Sequence, residues 1–310
     1  MERIEILSVN ISVEKGTSKE EIPFGELTLE GLRGDAHAGA WHRQISFLDI
    51  SSVDKIARET SGVFKHGDFG ENFTTSGLDF SSVKPGDRLY NNNVELEITQ
   101  IGKSCHGSGC AIFRTAGKCA MPSEGVFAKV IRPGKLNKGD LLKHLSPCIS
   151  FCVITLSSRA YSGIYEDKSG PVVQAMLNEY ICGEKIPGRI KYVLLPDKPG
   201  MLKKTLEELI SDKTDIIITT GGTGIGPEDI TPDVVKPMLD KELQGIMEFI
   251  RYKYGSTNKN ALLSRSCAGL ASKSLIFCIP GSVKAATEYM QEITPMLSHL
   301  CRMKSGSDRH

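Results

Sequence analysis

The alternation of apolar and polar positions changes character once along the chain. Up to about Leu145, apolar residues come in short runs such as RIEILSVNIS, RQISFLDI and VELEITQI. Turn-forming clusters such as KPGD, NNN and RPGKLNKGD separate them. Such runs read as strands. One helix is expected over SSVDKIARE, with Ser51 or Ser52 as its N-cap. Many short strands with few helices predict a β-rich, barrel-like or sandwich-like domain. After Pro147 the rhythm becomes strand, helix, strand. FCVITL is followed by a helix from about Gly170 to Cys182, IKYVLLP by the helical repeat of PGMLKKTLEELIS, and SLIFCIP by a helix through SVKAATEYMQEITPML. DIIITT reads as a buried parallel strand. This alternation predicts a doubly wound α/β domain with a mostly parallel sheet. Ligands bind beyond the carboxyl ends of such strands, so the segments after LLP, ITT and CIP are expected to line one cleft. The expected domains span residues 1–145 and 149–310, without internal repeats.

Composition narrows the classes. A chain of 310 residues has room for about two domains, and 40% hydrophobic with 24% charged residues is the make-up of a folded globular protein. Lys and Arg total 38 against 37 Asp and Glu. No global field therefore pulls the chain to nucleic acid or to a membrane. No run approaches the ~18 apolar residues of a membrane span, and MERIEILSVNISVEKG lacks a signal-peptide block. A cytoplasmic location is expected. Nine cysteines are too sparse for a disulfide scaffold.

The richest stretch is TTGGTGIGPEDITPD. Gly221, Gly222, Thr223 and Gly224 follow a strand directly. There, backbone N–H groups can approach an anion and Thr hydroxyls add donors. Thr231 is expected as a helix N-cap, with Pro232 at the first helical position. Asp229 lies between loop and helix, where a carboxylate would repel phosphate unless a cation such as Mg²⁺ sits between. No Walker lysine follows the glycines, which excludes a standard P-loop. Asp197 after LLP, and Pro280, Gly281 and Ser282 after the last strand, put further polar groups at strand ends. Each alone also fits a turn or a helix cap.

SGIYEDKSGP, LLPD, TTGGTGIGPEDITPD, LSRSCAGL and IPGSVKAA occur in the order of the MogA/MoaB-type molybdopterin-binding family, which residues 151–300 resemble. The resemblance implies a three-layer α/β/α fold, commonly trimeric, and the activity of a molybdopterin adenylyltransferase, a nucleotidyltransferase joining AMP from ATP to the terminal phosphate of molybdopterin. Carried over by position, Asp197 and Asp229 are the catalytic and metal-binding acids. Gly221 to Gly224 form the phosphate loop, and Thr231, Pro280, Gly281 and Ser282 belong to the cofactor pocket. The chain departs from many relatives at Ser158, where they carry Asp.

In the first half, GLRGDAHAGAWHR mixes glycines with Asp, His and Arg, and Arg33 and Arg43 could clamp an anion. FGEN could turn Glu71 or Asn72 toward a ligand or simply form a turn. Cys105, His106, Cys110 and Cys119 cluster in sequence. Reactive sulfur or molybdenum ligation, structural zinc, and incidental thiols all remain open for them. GLRGDAH, FGENF, PGDRL and LEITQIGKSC together resemble a MOSC domain, the β-rich module of molybdenum cofactor sulfurases. That implies binding of the molybdenum cofactor or of sulfur through a cysteine, the choice among Cys105, Cys110 and Cys119 staying open; Arg33, Arg43 and His106 are further candidate cofactor-binding residues. Ser104 stands where many relatives have Pro.

The expectation is a bifunctional molybdenum-cofactor protein using ATP, Mg²⁺ and molybdopterin. It would be a homo-oligomer, a trimer through its second half. Its partners would be other cofactor-biosynthesis proteins or molybdoenzymes, and neither nucleic acid nor membrane. The rival is a non-catalytic cofactor carrier.

Overall fold

The computed structural model describes residues 3–104 and 118–304. The chain divides into two compact units, one ending at Pro147 and one beginning at Cys148.

The first unit holds strands β1 (Arg3–Ile11), β2 (Glu20–Ile22), β3 (Phe24–Thr28), β4 (Gly31–Leu32), β5 (Ile45–Asp49), β6 (Phe73–Ser76), β7 (Arg88–Tyr90), β8 (Glu95–Ile101), β9 (Val126–Arg132), β10 (Gly134–Asn137) and β11 (Leu141–Leu145), with helices α1 (Ile50–Thr60) and α2 (Met121–Glu124). Seven strands, in the order β11-β7-β8-β9-β5-β6-β1, form a closed barrel, because β1 pairs back onto β11 with Arg3 opposite Lys143. Closure removes the free sheet edges. Strand β2 extends from β1, and β10-β3-β4 form a small second sheet. In β1, Ile4 and Ile6 are buried while Arg3 and Glu5 are exposed. Ile4 and Ile6 join Phe47, Phe73, Leu96 and Ile98 in the barrel core.

Helix α1 begins one residue earlier than expected and its cap differs. Asp49, not Ser51 or Ser52, is the N-cap. Its Oδ1 accepts from the Ser51 amide at 3.0 Å and from the Ser51 hydroxyl at 2.7 Å. A carboxylate closing a strand takes the role because its other oxygen accepts from Leu78 N at 2.8 Å, tying the cap to the barrel.

The second unit runs β12 (Ile149–Leu156), α3 (Ser158–Tyr161), α4 (Ser169–Gly183), β13 (Gly188–Leu195), α5 (Pro199–Ser211), β14 (Ile216–Thr220), α6 (Thr231–Val235), β15 (Lys241–Glu242), α7 (Gln244–Gly255), β16 (Cys267–Ala271), β17 (Ser274–Ile279) and α8 (Val283–Lys304). The sheet order is β13-β12-β14-β17-β16-β15. The first four strands are parallel, but β16 runs antiparallel to both neighbours, so the sheet is mixed. Strands β16 and β17 form a hairpin. Its two-residue turn, Ser272-Lys273, follows from the pairing of Ala271 with Ser274, and Ser272 has φ 55°.

Alternate residues of the central strands enter separate cores. Phe151, Val153, Ile216, Ile218 and Phe277 pack with residues of α4, α7 and α8. Cys152, Ile154, Ile217 and Ile276 pack with Leu202, Leu206 and Leu209 of α5. Each of these cores is nearly solvent-free, as strands buried on both faces require.

Candidate active-site cleft and the barrel's motif residues

Register aligns the carboxyl ends of the parallel strands. Leu156 pairs with Leu195, Thr155 with Thr220, and Thr220 with Ile279. Ser157, Asp197, Gly221 and Pro280 therefore leave the sheet along one edge. The chain passes from β12 to β13 on one side and returns to β14 on the other, so the strand order reverses beside β12, where open α/β sheets bind ligands. A cleft of about 1440 Å³ lies there, lined by Ser157, Asp197, Gly221 to Asp229, Ser264 and Pro280 to Val283, among others.

The loop after β14 is shaped by close backbone approach. Gly221 has φ +106°, and a Cβ there would stand 2.3 Å from the Leu156 carbonyl oxygen. A Cβ on Gly224 would stand 2.6 Å from an Asp229 carboxylate oxygen. Gly221 is required by backbone and space, whereas a side chain at Gly224 would displace the Asp229 carboxylate. Thr223 is buried, its hydroxyl 3.2 Å from the Ser264 hydroxyl.

Asp197 is half-buried. Its Oδ2 accepts from Ser158 N at 2.7 Å, and its own amide donates to Ser158 Oγ at 3.0 Å. The main-chain amide of residue 158 thus orients this carboxylate, and the serine hydroxyl holds the Asp197 backbone. Asp229 accepts from Gly226 N at 2.8 Å. Ser282 is exposed and its hydroxyl accepts from Ala285 N at 3.3 Å, capping α8. Pro280 lines the cleft and its carbonyl accepts from Thr220 Oγ1 at 3.0 Å. Thr231 does not line the cleft and is not a cap: Ile230 is the N-cap of α6. The Thr231 side chain is fully buried and its hydroxyl donates to Gly221 O at 2.8 Å, so it braces the loop from behind.

Sequence reasoning missed Asp167. It receives Thr155 Oγ1 at 2.8 Å, Tyr192 OH at 2.7 Å and Ser169 N at 2.9 Å at the start of α4. Burial pushes its pKa up, but these hydrogen bonds outweigh burial and hold it below the usual carboxylate range. Burial, with the bond to Asp167, raises Tyr192 to about 12. The YEDKSG motif was the available signal. Among the described residues the cleft carries six carboxylates (Glu166, Asp167, Asp197, Glu228, Asp229, Glu288) against Arg159 and Lys168. A polyphosphate could enter this acidic cleft only with a cation. The oxygen donor set suits Mg²⁺, which is typically held by one or two carboxylates plus substrate phosphates and water. Among the described residues no cluster of three or more His, Cys, Asp or Glu forms a dedicated cage.

The barrel's motif residues meet a different fate. Cys105, His106 and Cys110 lie outside the described residues. Cys119 is half-buried beside the small core of Leu48, Val53 and Met121. Arg33 is exposed and pairs with Glu26 at 3.1 Å. Arg43 lies 5.1 Å from the Trp41 ring, and its Nε is buried without a hydrogen-bond partner among the described residues. Glu71 and Asn72 are both buried, Glu71 accepting from Gly67 N at 2.7 Å and Asn72 from Ser46 N at 3.1 Å. Asp35 is buried against Lys19 and accepts from His37 N at 2.9 Å. Burial opposes ionisation, but the His37 and Lys19 contacts prevail and keep Asp35 far below the ordinary carboxylate range.

Residues 152–299 match the family model described as "Probable molybdopterin binding domain", and residues 34–143 match the MOSC domain model. A molybdopterin adenylyltransferase of Helicobacter pylori strain J99 is 34% identical over 156 residues, which cover 50% of this chain and 87% of that protein. The chain belongs to this molybdopterin-binding family and carries a MOSC domain ahead of it. A Staphylococcus carnosus molybdenum cofactor biosynthesis protein B is 39% identical over 137 residues, covering 43% of this chain and 79% of that protein. A molybdopterin biosynthesis protein from Mycobacterium abscessus has a solved structure with a TM-score of 0.47 at 29% identity, covering 52% of this chain and 98% of that one. These relatives align with the half of the chain that holds the cleft. No helix among the described residues is long and apolar enough to cross a membrane.

Proposed function

We propose that the molybdopterin-binding domain is a molybdopterin adenylyltransferase that works with Mg-ATP. One observation carries the reading: a glycine-rich loop and two carboxylates, Asp197 and Asp229, reach one acidic cleft from different strand ends. An oxygen of the pterin's terminal phosphate attacks the α-phosphorus of ATP. The new P–O bond forms as the α–β bridging bond breaks, and pyrophosphate leaves with the electron pair. The nucleophile is already ionised at neutral pH, so no general base is required. Catalysis then rests on positioning and charge.

Asp197 and Asp229 would hold the magnesium ion, which when bound neutralises charge on the phosphates. Gly222 to Gly224 would offer backbone amides to phosphate oxygens, while the Gly221 amide donates to Ile279 O at 3.0 Å and fixes the start of the loop. Pro280, Gly281 and Ser282 line the cleft beside this loop, where a Cβ on Gly281 would stand 2.9 Å from Gly221 Cα, while Thr231 supports the loop.

For the MOSC domain we infer binding of the pterin cofactor or of sulfur. The partly desolvated Arg43 beside Trp41 supports an anion there. A homotrimer in the cytoplasm, passing product to other cofactor-biosynthesis proteins or molybdoenzymes, completes the reading.

Asp229→Asn and Asp197→Asn test it. Each is expected to lower adenylyl transfer by on the order of 10²-fold or more, as for lost transition-state charge stabilisation, with the melting temperature held. Wild-type transfer in both variants would overturn the assignment.

A further inference from the structure

The glycine-rich loop is spanned from behind by one side chain that the reaction above does not use. Arg265 lies in LSRSCAGL, just before β16. Its amide donates to Thr223 O at 2.8 Å and its Nε to Gly224 O at 2.7 Å. Its Nη2 donates to Asp229 O. Its Nη1 bridges both Asp233 carboxylate oxygens at 2.7 and 2.9 Å. These acceptors bracket the whole loop, from its first turn to the start of α6.

Thr231 and Ile279 hold the first turn of the loop, through Gly221 and Gly222, but its tip has little else to hold it. Residues 225–228 are exposed, and Ile225 at the tip is 80% exposed, so no core packing sets their path. Among the described residues the Asp229 carboxylate bonds only within the loop, to Gly226 N. The separation between the loop amides and that carboxylate therefore follows from where the carbonyls of Gly224 and Asp229 are pinned. Arg265 reaches both with different nitrogens of one rigid planar group. It does so from outside the cleft, since it lines a separate cavity of about 390 Å³ with Asp233, Lys236 and Arg251. The Arg265 and Asp233 side chains are 37% and 63% exposed, so their ion pair adds little to folding. Its geometric effect is larger: it fixes the guanidinium plane so that Nε and Nη2 face the loop.

We propose that Arg265 is a positioning residue for adenylyl transfer, clamping the carbonyls of Gly224 and Asp229 so that the loop amides and the Asp229 carboxylate meet the phosphates together. The proposal rests on the adenylylation reading for its catalytic consequence and on the loop geometry for its mechanism. A lysine cannot replace the clamp, because one ammonium cannot span acceptors in three directions.

The test uses the full-length chain as wild type, Arg265→Ala, Arg265→Lys and Asp233→Asn. Hydrogen exchange of residues 222–230 is measured without substrates, and kcat and KM for molybdopterin are measured with Mg-ATP. Arg265→Ala and Arg265→Lys are expected to speed loop exchange and to lower kcat about 100-fold, the scale of a 1 Å misplacement. KM for molybdopterin should stay within about threefold, because a misplaced phosphate site loses transition-state rather than ground-state interactions. Asp233→Asn should show the same pattern more weakly. Unchanged loop exchange in both Arg265 variants would overturn the clamp. So would a fall in kcat without faster exchange, which would place the arginine on the substrate itself. If Arg265→Ala fails to fold, the lysine and Asp233 variants decide by the same criteria. A wild-type chain that transfers no AMP would defeat the adenylylation reading, whereas the exchange comparison would still decide the clamp.

Discussion

The two domains spend their motif carboxylates in opposite ways. In the barrel, Asp35 and Glu71 are buried inside the domain: one faces Lys19, the other accepts from Gly67 N and Thr74 Oγ1 through one carboxylate oxygen. In the α/β domain, Asp197 and Asp229 stand at the mouth of a cleft, each oriented by a single backbone amide and accessible to a ligand. Carboxylates thus tie strand connections together in one domain and line an open cleft in the other. The difference comes from topology. A closed barrel draws its connections inward, whereas an open parallel sheet exposes the loops at its carboxyl edge. A motif therefore points to chemistry only when its fold leaves it at an edge.

That contrast is sharpened first by Asp35→Asn. It leaves Lys19 buried without its counter-charge, and the expected cost is about 3–5 kcal/mol of barrel stability, read by denaturant unfolding. A cost below 1 kcal/mol would show that the pair does not act as a buried lock. Gly221→Ala comes next. It forces a Cβ against the Leu156 carbonyl at a positive φ, and such strain costs about 1–3 kcal/mol within the second domain. Wild-type melting of this variant would mean that the loop does not need its tight path.

The pH dependence within the barrel separates its two buried carboxyls by sign. The folded-state pKa of Asp35 lies below the ordinary aspartate value of 3.8, so the stability it contributes is present above that pH and is lost as pH falls toward the folded value. Glu71 is shifted the other way: burial raises it above 4.5 despite its hydrogen bonds, so its contribution is present below 4.5 and is lost as pH rises through the folded value. Thermal melts from pH 3 to 8 should therefore show Glu71→Gln gaining on wild type as pH rises. Parallel curves would contradict the assignment. The smallest effect is expected at the exposed pair of Arg33 and Glu26. Arg33→Ala should change barrel stability by less than about 0.5 kcal/mol, and a larger loss would show that the pair is structural.

Most strands and the long helices were legible because periodicity is local. PGMLKKTLEELIS became α5 at Pro199–Ser211, and DIIITT became β14 at Ile216–Thr220. Barrel closure was not legible, since pairing Arg3 with Lys143 is a long-range event. The antiparallel β16 was hidden because CAGLA is built of small residues and its turn uses Ser272-Lys273 in place of an Asn-Gly signal. In the cleft, strand-end residues could be read from their place after apolar runs. Thr231 was misjudged as a cap because its hydroxyl turns back to Gly221, and Arg265 was overlooked because its acceptors are mostly main-chain carbonyls, which leave no pattern in side-chain identity.

The most direct test of the central claim is incubation of the full-length protein with molybdopterin, Mg²⁺ and ATP labelled at the α-phosphate. The account predicts label in the pterin and pyrophosphate released in equal amount. Molybdopterin bound tightly while ATP stays intact and no label transfers would contradict it and identify the protein as a carrier.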